Sequence, residues 1–279
     1  MPIHDQGYRR YGGSKAPLGQ GWIVIARAGI RTIISKRMFL GLLLMAWLPF
    51  FARAVQFYAA VNLPQAAIFA PTAETFRQFL DQQDIFVFFV TVYVGAGLIA
   101  NDRRANALQI YLSKPLTRAE YVFGKLAILA TFLLVVTWLP AIVLLIVQMT
   151  FAGNVTFIRN NLFLFPAITV FSLIEVLLVS TTMLALSSLS KSSRYVGILY
   201  AAVIFFSSAV YGVLFLVTRS SSLSWLSFSA NLAQIGNLIF RQPLKYDTPW
   251  PVSLLMIVGL IAVSSAILER RIRGVEVVA

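Results

Sequence analysis

The amino-acid sequence predicts an all-α, polytopic membrane protein with six transmembrane helices. It also predicts an interfacial amphipathic helix before the first span and a cytoplasmic helix between the second and third spans. Hydrophobic residues make up 59% of the 279 residues, and only 12% are charged, against about 25% in soluble domains. The mean hydropathy is +0.81, and the chain repeats apolar runs of about 20 residues, the length that crosses a bilayer as a helix.

The residue types that the sequence lacks exclude several kinds of chemistry. The chain has no cysteine, and His4 is its only histidine. Disulfides and thiolate sites are therefore excluded, and neither zinc sites nor imidazole catalysis is expected. The nearest match to a Walker A loop runs from Gly7 to Lys15, but it puts lysine in the wrong position and follows no predicted strand. We predict no catalytic residue, no metal and no cofactor bound by this chain.

The N-terminal segment divides into a polar tail and an amphipathic helix. Residues 1–17 are polar and lack periodicity, which favours a flexible cytoplasmic tail. In residues 18–37, Trp22 and later apolar residues recur at helical spacing, while Arg27 and Arg31 lie four apart on another face. A cationic amphipathic helix with a tryptophan is typical of the membrane interface. The alternative is that this segment is the ordinary flank of the first span.

The chain after the tail forms a single predicted transmembrane domain, residues 18–279. Pro49 predicts a kink in the first span. Residues 62–84 predict an acidic outer loop. Residues 219–250 are apolar but interrupted by Ser, Asn and Gly, so they predict either short helices in the outer leaflet or a loop packed on the outer surface. The predicted spans are residues 38–61, 85–100, 126–150, 162–189, 195–218 and 250–268.

The distribution of positive charge predicts the orientation in the membrane. Six spans place both termini on one side, and most of the 23 lysines and arginines lie on that side. Because positively charged loops stay in the cytoplasm, both termini are predicted to be cytoplasmic. This topology accounts for most of the net charge of +13. We therefore expect a lipid bilayer as a partner and no nucleic acid.

Residues 101–126 predict an amphipathic helix, a sharp turn at its end and the start of a second helix. One face of the first helix is polar and another is apolar. Pro115 ends this helix, because the residue before a proline avoids helical backbone. Thr117 and Glu120 then match a capping box that starts the next helix. The apolar stripe consists of Ala105, Leu108, Tyr111 and Leu112.

This apolar stripe must pack against another surface, which is either this protein's own helices or a separate cytoplasmic protein. The alternative to such a docking role is that the segment is only a well-capped connecting loop. The segment resembles the permease subunit of type-2 ATP-binding-cassette (ABC) transporters. Asn106 and Ala107 depart from that family, which often has Gly-Thr there. The six-span plan, the N-terminal helix and the apolar outer loop extend the resemblance over most of the chain. The matching positions are Asp102, Leu108, Pro115, Arg118, Gly124 and Lys125.

The resemblance implies transport driven by a partner. In such permeases the loop between the second and third spans is a coupling helix that docks on a cytoplasmic ABC ATPase subunit, which binds ATP and Mg²⁺. A second permease copy or a homologue would complete a dimer in the bacterial inner membrane, and the transporter would export its substrate by alternating access. The implied docking residues are Asp102, Arg103, Leu108, Tyr111, Leu112, Pro115, Arg118, Lys125, Lys191 and Arg194.

Two charged residues in the predicted spans are candidates for the pathway or a gate. Glu175 lies in the middle of the fourth span, where a carboxyl group normally faces a cavity or a partner. It either lines the pathway or is a protonated group bonded to a neighbouring helix. Arg53 either contributes to the pathway or extends to the outer interface. The alternative function, a self-contained ion- or proton-coupled carrier, requires paired ionisable residues or broken helices near the midplane, and Glu175 is the only acidic candidate in the predicted spans.

Overall fold

A computed structural model describes residues 20–63, 65, 68, 70–107, 116–152, 157, 159 and 161–272. None of these residues forms a β-strand. In chain order the α-helices are α1 Gly21–Ile34, α2 Arg37–Ala46, α3 Leu48–Asn62, α4 Ala73–Val90, α5 Ala100–Arg104, α6 Arg118–Val136, α7 Trp138–Ala152, α8 Leu164–Leu189, α9 Ser193–Thr218, α10 Phe228–Ile239 and α11 Trp250–Arg271. A π-helix, Thr91–Gly95, follows α4, and a 3-10 turn, Ser224–Leu226, precedes α10.

The predicted number of spans is confirmed for the described part of the chain. It contains six helical stretches that are long and apolar enough to cross a membrane. The first stretch joins α2 and α3 with a break at Trp47, and Pro49 lies in the first turn of α3. Proline is tolerated there because the first amides of a helix have no partner within it. The stretches are Arg37–Asn62, Ala73–Arg104, Arg118–Phe151, Leu164–Leu189, Ser193–Thr218 and Trp250–Arg271.

The second span is longer than the sequence predicts. Its helix begins at Ala73, whereas the prediction placed an acidic outer loop over residues 62–84 and the start of the span at residue 85. The loop prediction is therefore wrong from Ala73 onward, because charged residues in this segment lie on a helix.

Local interactions explain why this charged segment is helical. The Thr72 hydroxyl accepts a hydrogen bond from the Thr75 amide at 3.3 Å, and the Thr72 amide donates to the Thr75 hydroxyl at 3.2 Å. This capping box satisfies amides at the start of α4. One turn further on, Arg77 and Asp81 form an ion pair with a nitrogen–oxygen distance of 2.7 Å. Such pairs four residues apart stabilise a helix.

The apolar segment of residues 219–250 contains α10, which packs against α4, α8, α9 and α11. Gln234, buried in α10, joins this helix to the residues that follow it. Its side-chain amide donates to the carbonyl oxygens of Tyr246 and Thr248 at 2.9 and 2.8 Å, and its oxygen accepts from the Tyr246 amide at 3.2 Å. The segment therefore includes a short helix, as predicted. Its depth in a membrane stays a prediction.

The N-terminal segment forms α1, which packs along the first half of α6. A Cβ atom added to Gly124 of α6 would lie 2.8 Å from Cβ of Ile25 and 3.1 Å from the carbonyl oxygen of Trp22. Glycine at this position therefore allows the two helices to approach closely. The location of α1 in a membrane interface stays a prediction.

The fourth span, α8, lies at the centre of the fold, whereas α9 lies at its edge. In their most apolar stretches, 61% of the α8 residues are buried, against none in α9. Helix α8 contacts α5, α6, α9, α10 and α11. It is therefore the element that connects the two regions described next, one at each end of the helical bundle.

Candidate functional site

The residues around Asp102 join the end of the second span to the third span. The Asp102 carboxylate in α5 forms an ion pair with Lys125 Nζ at 2.7 Å, and it accepts a hydrogen bond from the Tyr121 hydroxyl at 2.7 Å. Tyr121 is fully buried and Lys125 is only 8% exposed. Because the pair is largely removed from water, it interacts more strongly than a surface pair. We call Asp102, Tyr121 and Lys125 the Asp102 cluster.

A second set of hydrogen bonds joins the same end of the second span to α8. The Ser187 hydroxyl accepts from the amides of Ile99 and Ala100 at 3.1 and 3.0 Å. These amides lie at the start of α5 and have no partner within that helix. The Arg103 guanidinium donates to the carbonyl oxygen of Ser188, near the end of α8. Helix α5 is therefore attached to both α6 and α8.

The predicted capping box forms at the start of α6 and has an additional partner. The Thr117 amide donates to Glu120 Oε2 at 2.8 Å, and the Glu120 amide donates to the Thr117 hydroxyl at 3.2 Å. The other carboxylate oxygen, Glu120 Oε1, accepts from the amide of Gly21, the first residue of α1, at 3.1 Å. One carboxylate thus caps two helices.

The prediction of one continuous amphipathic helix from residue 101 is wrong, because α5 ends at Arg104 and a left-handed residue follows it. Four of the predicted docking residues, Leu108, Tyr111, Leu112 and Pro115, lie outside the described residues, so their coupling role stays a prediction. Asn106, just before them, has a φ of 52°. This left-handed conformation at the end of α5 suits asparagine and glycine better than other residues. The structure therefore gives a physical reason why asparagine can stand where the family that the sequence resembles often has glycine.

The described docking candidates share one end of the bundle. Lys191 and Arg194 are exposed in and just after the turn between α8 and α9. This turn follows Ser188, to which Arg103 is bonded. Arg118 begins α6 and lines an apolar cavity of about 490 Å³ between α6, α8 and α11. The two regions predicted to contact a partner thus lie close to the Asp102 cluster.

A cavity of about 730 Å³ opens at the opposite end of the bundle, between α4, α9, α10 and the segment before α11. We call it the charged cavity. Its wall includes Arg77, which is only 3% exposed. The Arg77 guanidinium pairs with Asp81, lies 4.6 Å from the Phe171 ring centre and donates to Asn237 at 3.3 Å. These contacts fix the position of the Arg77 side chain in the cavity wall.

The segment before α11 contributes Lys245 and Tyr246 to the mouth of the charged cavity. The Lys245 ammonium lies 5.7 Å from the centre of the Tyr246 ring. Burial raises the pKa of the Tyr246 phenol, and the nearby Asp81 carboxylate raises it further. Tyr246 is therefore a neutral hydroxyl at physiological pH.

A small pocket with two acidic residues lies behind the charged cavity. Asp84 lines both the cavity and this pocket, which has a volume of about 80 Å³. Glu175 of α8 lines the same pocket and is only 2% exposed. The two acidic side chains thus share one small pocket, and two carboxylates so placed would repel each other if both were ionised. Among the described residues, Glu175 Oε2 has no hydrogen-bond partner.

Comparison with known families adds a decisive observation. A family model described as "ABC-2 family transporter protein" matches residues 23–268, which include the Asp102 cluster and the charged cavity. The chain belongs to the ABC-2 transporter family. No curated protein matches it significantly. The family membership confirms the resemblance to a type-2 ABC permease, and together with the six apolar helices it indicates a multi-pass membrane protein.

In this ABC-2 permease the two intramembrane candidates have different surroundings. Glu175 reaches the pocket behind the charged cavity, whereas Arg53 lines neither space. The Arg53 guanidinium donates to Gln56 at 2.9 Å and to Gln82 at 3.3 Å. Arg53 therefore links α3 to α4 on the outside of the site.

Asp84 and Arg77 were not predicted as residues of the permease cavity, because both fall in the segment predicted to be an outer loop. A signal for them existed in the sequence. Arg77, Asp81 and Asp84 are separated by four and then three residues, the spacing of one helical face. The capping pair Thr72 and Thr75 marks the start of that helix.

Proposed function

We propose that this ABC-2 permease is the transmembrane subunit of an exporter, driven by a separate cytoplasmic ATPase that binds ATP and Mg²⁺. The Asp102 cluster carries the proposal. It attaches the segment next to the predicted coupling helix to α6, while Ser187 attaches it to α8. Helix α8 also bears Glu175, about 18 Å from Ser187 at 1.5 Å per residue. Movement of the coupling segment can therefore reach the pocket along one continuous helix.

Unlike α8, which is one continuous α-helix, the second span is interrupted. The π-helix Thr91–Gly95 and the turn before α5 separate Asp84 from Asp102. A π-helix shifts the backbone hydrogen bonds, and such segments are frequent at functional sites. We infer that α8 moves as one rigid element during alternating access, while the second span bends at the π-helix.

The proposal includes a dimer with both termini in the cytoplasm of a bacterial cell. The concentration of positive charge at the end that contains the Asp102 cluster supports this orientation. A second copy or a homologue would cover part of the apolar surface of α9, on which Phe205 and Phe206 are 62% and 70% exposed. In this arrangement the chain itself hydrolyses no ATP.

Co-expression with a candidate ABC ATPase, sought first among the genes next to that of the permease, tests the proposal. Asp102→Asn and Lys125→Met should each lower permease-stimulated ATP turnover by about fivefold or more, the usual scale of coupling between sites. Asp247→Asn is the matched control, because its carboxylate bonds Ser221 at the opposite end of the bundle. Failure of the ATPase to co-purify with the unaltered permease, or full turnover in both Asp102-cluster variants, would contradict the proposal.

A self-contained ion- or proton-coupled carrier is the second candidate function. The Asp84–Glu175 pair favours it, because paired ionisable residues inside a bundle are what such carriers use. Proteoliposomes that contain the permease and an ATPase lacking its Walker lysine separate the two candidates. Transport that continues with this ATPase and stops on addition of a protonophore would support the carrier; transport that is lost with this ATPase would support the exporter.

A further inference from the structure

The charged cavity leads to two carboxyl groups that have no cationic partner close to them. Among the described residues, no lysine or arginine nitrogen lies within 4.0 Å of a carboxylate oxygen of Asp84 or Glu175. Glu175 Oε2 also lacks a hydrogen-bond partner there, although it is buried. A buried polar atom without a partner costs free energy. The pocket is therefore suited to a ligand that donates hydrogen bonds and carries positive charge.

The positive charges of the cavity wall form no ion pair with the acids of this pocket, although Arg77 acts on both carboxyl groups from a longer distance. Arg77 is committed to Asp81, Asn237 and the Phe171 ring. Lys245 lines the outer cavity but not the pocket behind it. An anionic ligand would therefore meet two carboxyl groups that form no ion pair at the inner end, whereas a cationic ligand could pair with them directly.

Aromatic side chains complete the wall of the inner pocket. Phe88, Tyr200 and Phe228 line it together with the two acids. The rings of Phe88 and Tyr200 are stacked, with their centres 5.8 Å apart. Aromatic rings attract cations through the negative charge of their faces, and carboxylates accept short hydrogen bonds from ammonium groups. This combination is characteristic of sites for organic cations.

The dimensions of the two spaces indicate the shape of the ligand. The pocket behind the charged cavity, of about 80 Å³, has room for a compact head group. The charged cavity itself, of about 730 Å³, can hold a larger body. A divalent metal ion fits less well. The described residues provide no group of three or more acidic, histidine or cysteine side chains able to hold one, and such ions prefer more ligands than this pocket offers.

We propose that the charged cavity and the pocket behind it bind organic amines. The ammonium group lies between Asp84 and Glu175 in the pocket, and the rest of the molecule lies in the charged cavity. This inference rests on the proposed function, because it makes the cavity the substrate site of the permease. The substrate class is then a protonated organic amine whose body lies against the polar and apolar side chains of the charged cavity.

Binding of tritiated phenethylamine to the full chain in lipid nanodiscs tests the inference at neutral pH, where this amine is protonated. We expect saturable binding that unlabelled phenethylamine displaces. Equal concentrations of 2-phenylethanol and 3-phenylpropionate, which replace the ammonium with a neutral and an anionic group, should not displace it. This comparison needs no altered protein. The absence of saturable binding, or equal displacement by the alcohol, would overturn the inference.

Isosteric variants locate the site. Asp84→Asn and Glu175→Gln should each weaken phenethylamine binding by roughly tenfold or more, the scale of a hydrogen bond to a charged group. Asp247→Asn is the control: Asp247 lines neither the charged cavity nor the pocket behind it, and its carboxylate accepts hydrogen bonds from Ser221, so this variant should bind within about threefold of the unaltered chain. Unchanged affinity in both Asp84→Asn and Glu175→Gln would show that phenethylamine binds elsewhere.

The same preparations separate this inference from the proposed function. Asp102→Asn should retain phenethylamine binding while losing ATPase coupling, because Asp102 lies at the other end of the bundle. If the amine does not bind but the ATPase remains coupled, the inference fails and the exporter proposal stands. If the amine binds but the ATPase neither associates nor responds, the cavity is an amine site and the exporter proposal fails.

Discussion

At the scale of single residues, Lys125 and Asp102 depend on each other. Lys125→Met removes the cation from a pair that is mostly shielded from water, leaving Asp102 with the Tyr121 hydroxyl. We expect a loss of about 1–3 kcal/mol in stability, less than the 3–5 kcal/mol typical of a fully buried pair, because 18% of the Asp102 side chain is exposed. Thermal unfolding of the purified permease in detergent measures this loss.

The double variant Asp102→Asn/Lys125→Met provides the control for this prediction. Because the two side chains interact directly, the double variant should lose less stability than the sum of the single variants, by about 0.5 kcal/mol or more. Strictly additive losses would show that the contact contributes nothing beyond the individual residues.

A second prediction at this scale concerns Gly124. In Gly124→Ala the new Cβ would lie 2.8 Å from Cβ of Ile25 and 3.1 Å from the Trp22 carbonyl oxygen, so α1 must move away from α6. We expect a loss of about 1–3 kcal/mol, as for other overpacked contacts, visible as a lower unfolding temperature. Gly259→Ala in α11 is the control, since nothing lies within 4 Å of its added Cβ, and alanine should be neutral or stabilising there. Equal effects of the two substitutions would contradict the prediction.

At the scale of helices, Glu120 caps both α6 and α1. Glu120→Ala should therefore increase the rate of amide hydrogen exchange in the first turns of both helices. Loss of this cap should make exchange in these turns roughly fivefold faster. Thr72→Ala, which removes the cap of α4, should accelerate exchange in α4 alone. If α1 exchanges at its original rate in Glu120→Ala, the bond from Gly21 makes no contribution.

Helix boundaries and caps could be predicted where the signal is local. Thr117 and Glu120 are three residues apart, so a single short motif predicts their mutual bonds. The bond from Gly21 to Glu120 joins residues that are 99 positions apart, and no local pattern encodes it. The second span shows a related difficulty: its apolar part was predicted, but its first three turns carry charges that resemble a loop in a hydropathy profile.

The candidate site shows the same division between local and distant information. Glu175 could be singled out because a carboxyl group within an apolar run is unusual. Its proximity to Asp84 could not be predicted, since it depends on how α4 and α8 are placed in the bundle. The Asp102 cluster was predicted only in part: the resemblance singled out Asp102 and Lys125, but not Tyr121 or the contribution of Ser187. The docking role of Leu108, Tyr111, Leu112 and Pro115 stays a prediction.

At the scale of the whole molecule, the two ends of the bundle should face opposite sides of the membrane. The natural chain has no cysteine, so a single introduced cysteine reports its own position. Lys245→Cys, at the mouth of the charged cavity, should react with a membrane-impermeant maleimide in intact cells. Lys191→Cys, in the turn next to the Asp102 cluster, should react only after the membrane is permeabilised, because lysine- and arginine-rich loops stay in the cytoplasm.

The reactivity of the cysteine in Lys245→Cys also tests alternating access. If ATP binding in the partner closes the charged cavity, Lys245→Cys in the assembled complex should react about fivefold or more slowly with ATP than without nucleotide, given the usual size of coupling between sites. Adding Asp102→Asn should remove this difference, because the contact between α5 and α6 that carries the movement is weakened. A cysteine at Asp247, outside the residues that line the cavity, controls for a general change in reactivity. Equal protection at both positions, or protection that survives Asp102→Asn, would mean that the Asp102 cluster does not transmit the movement.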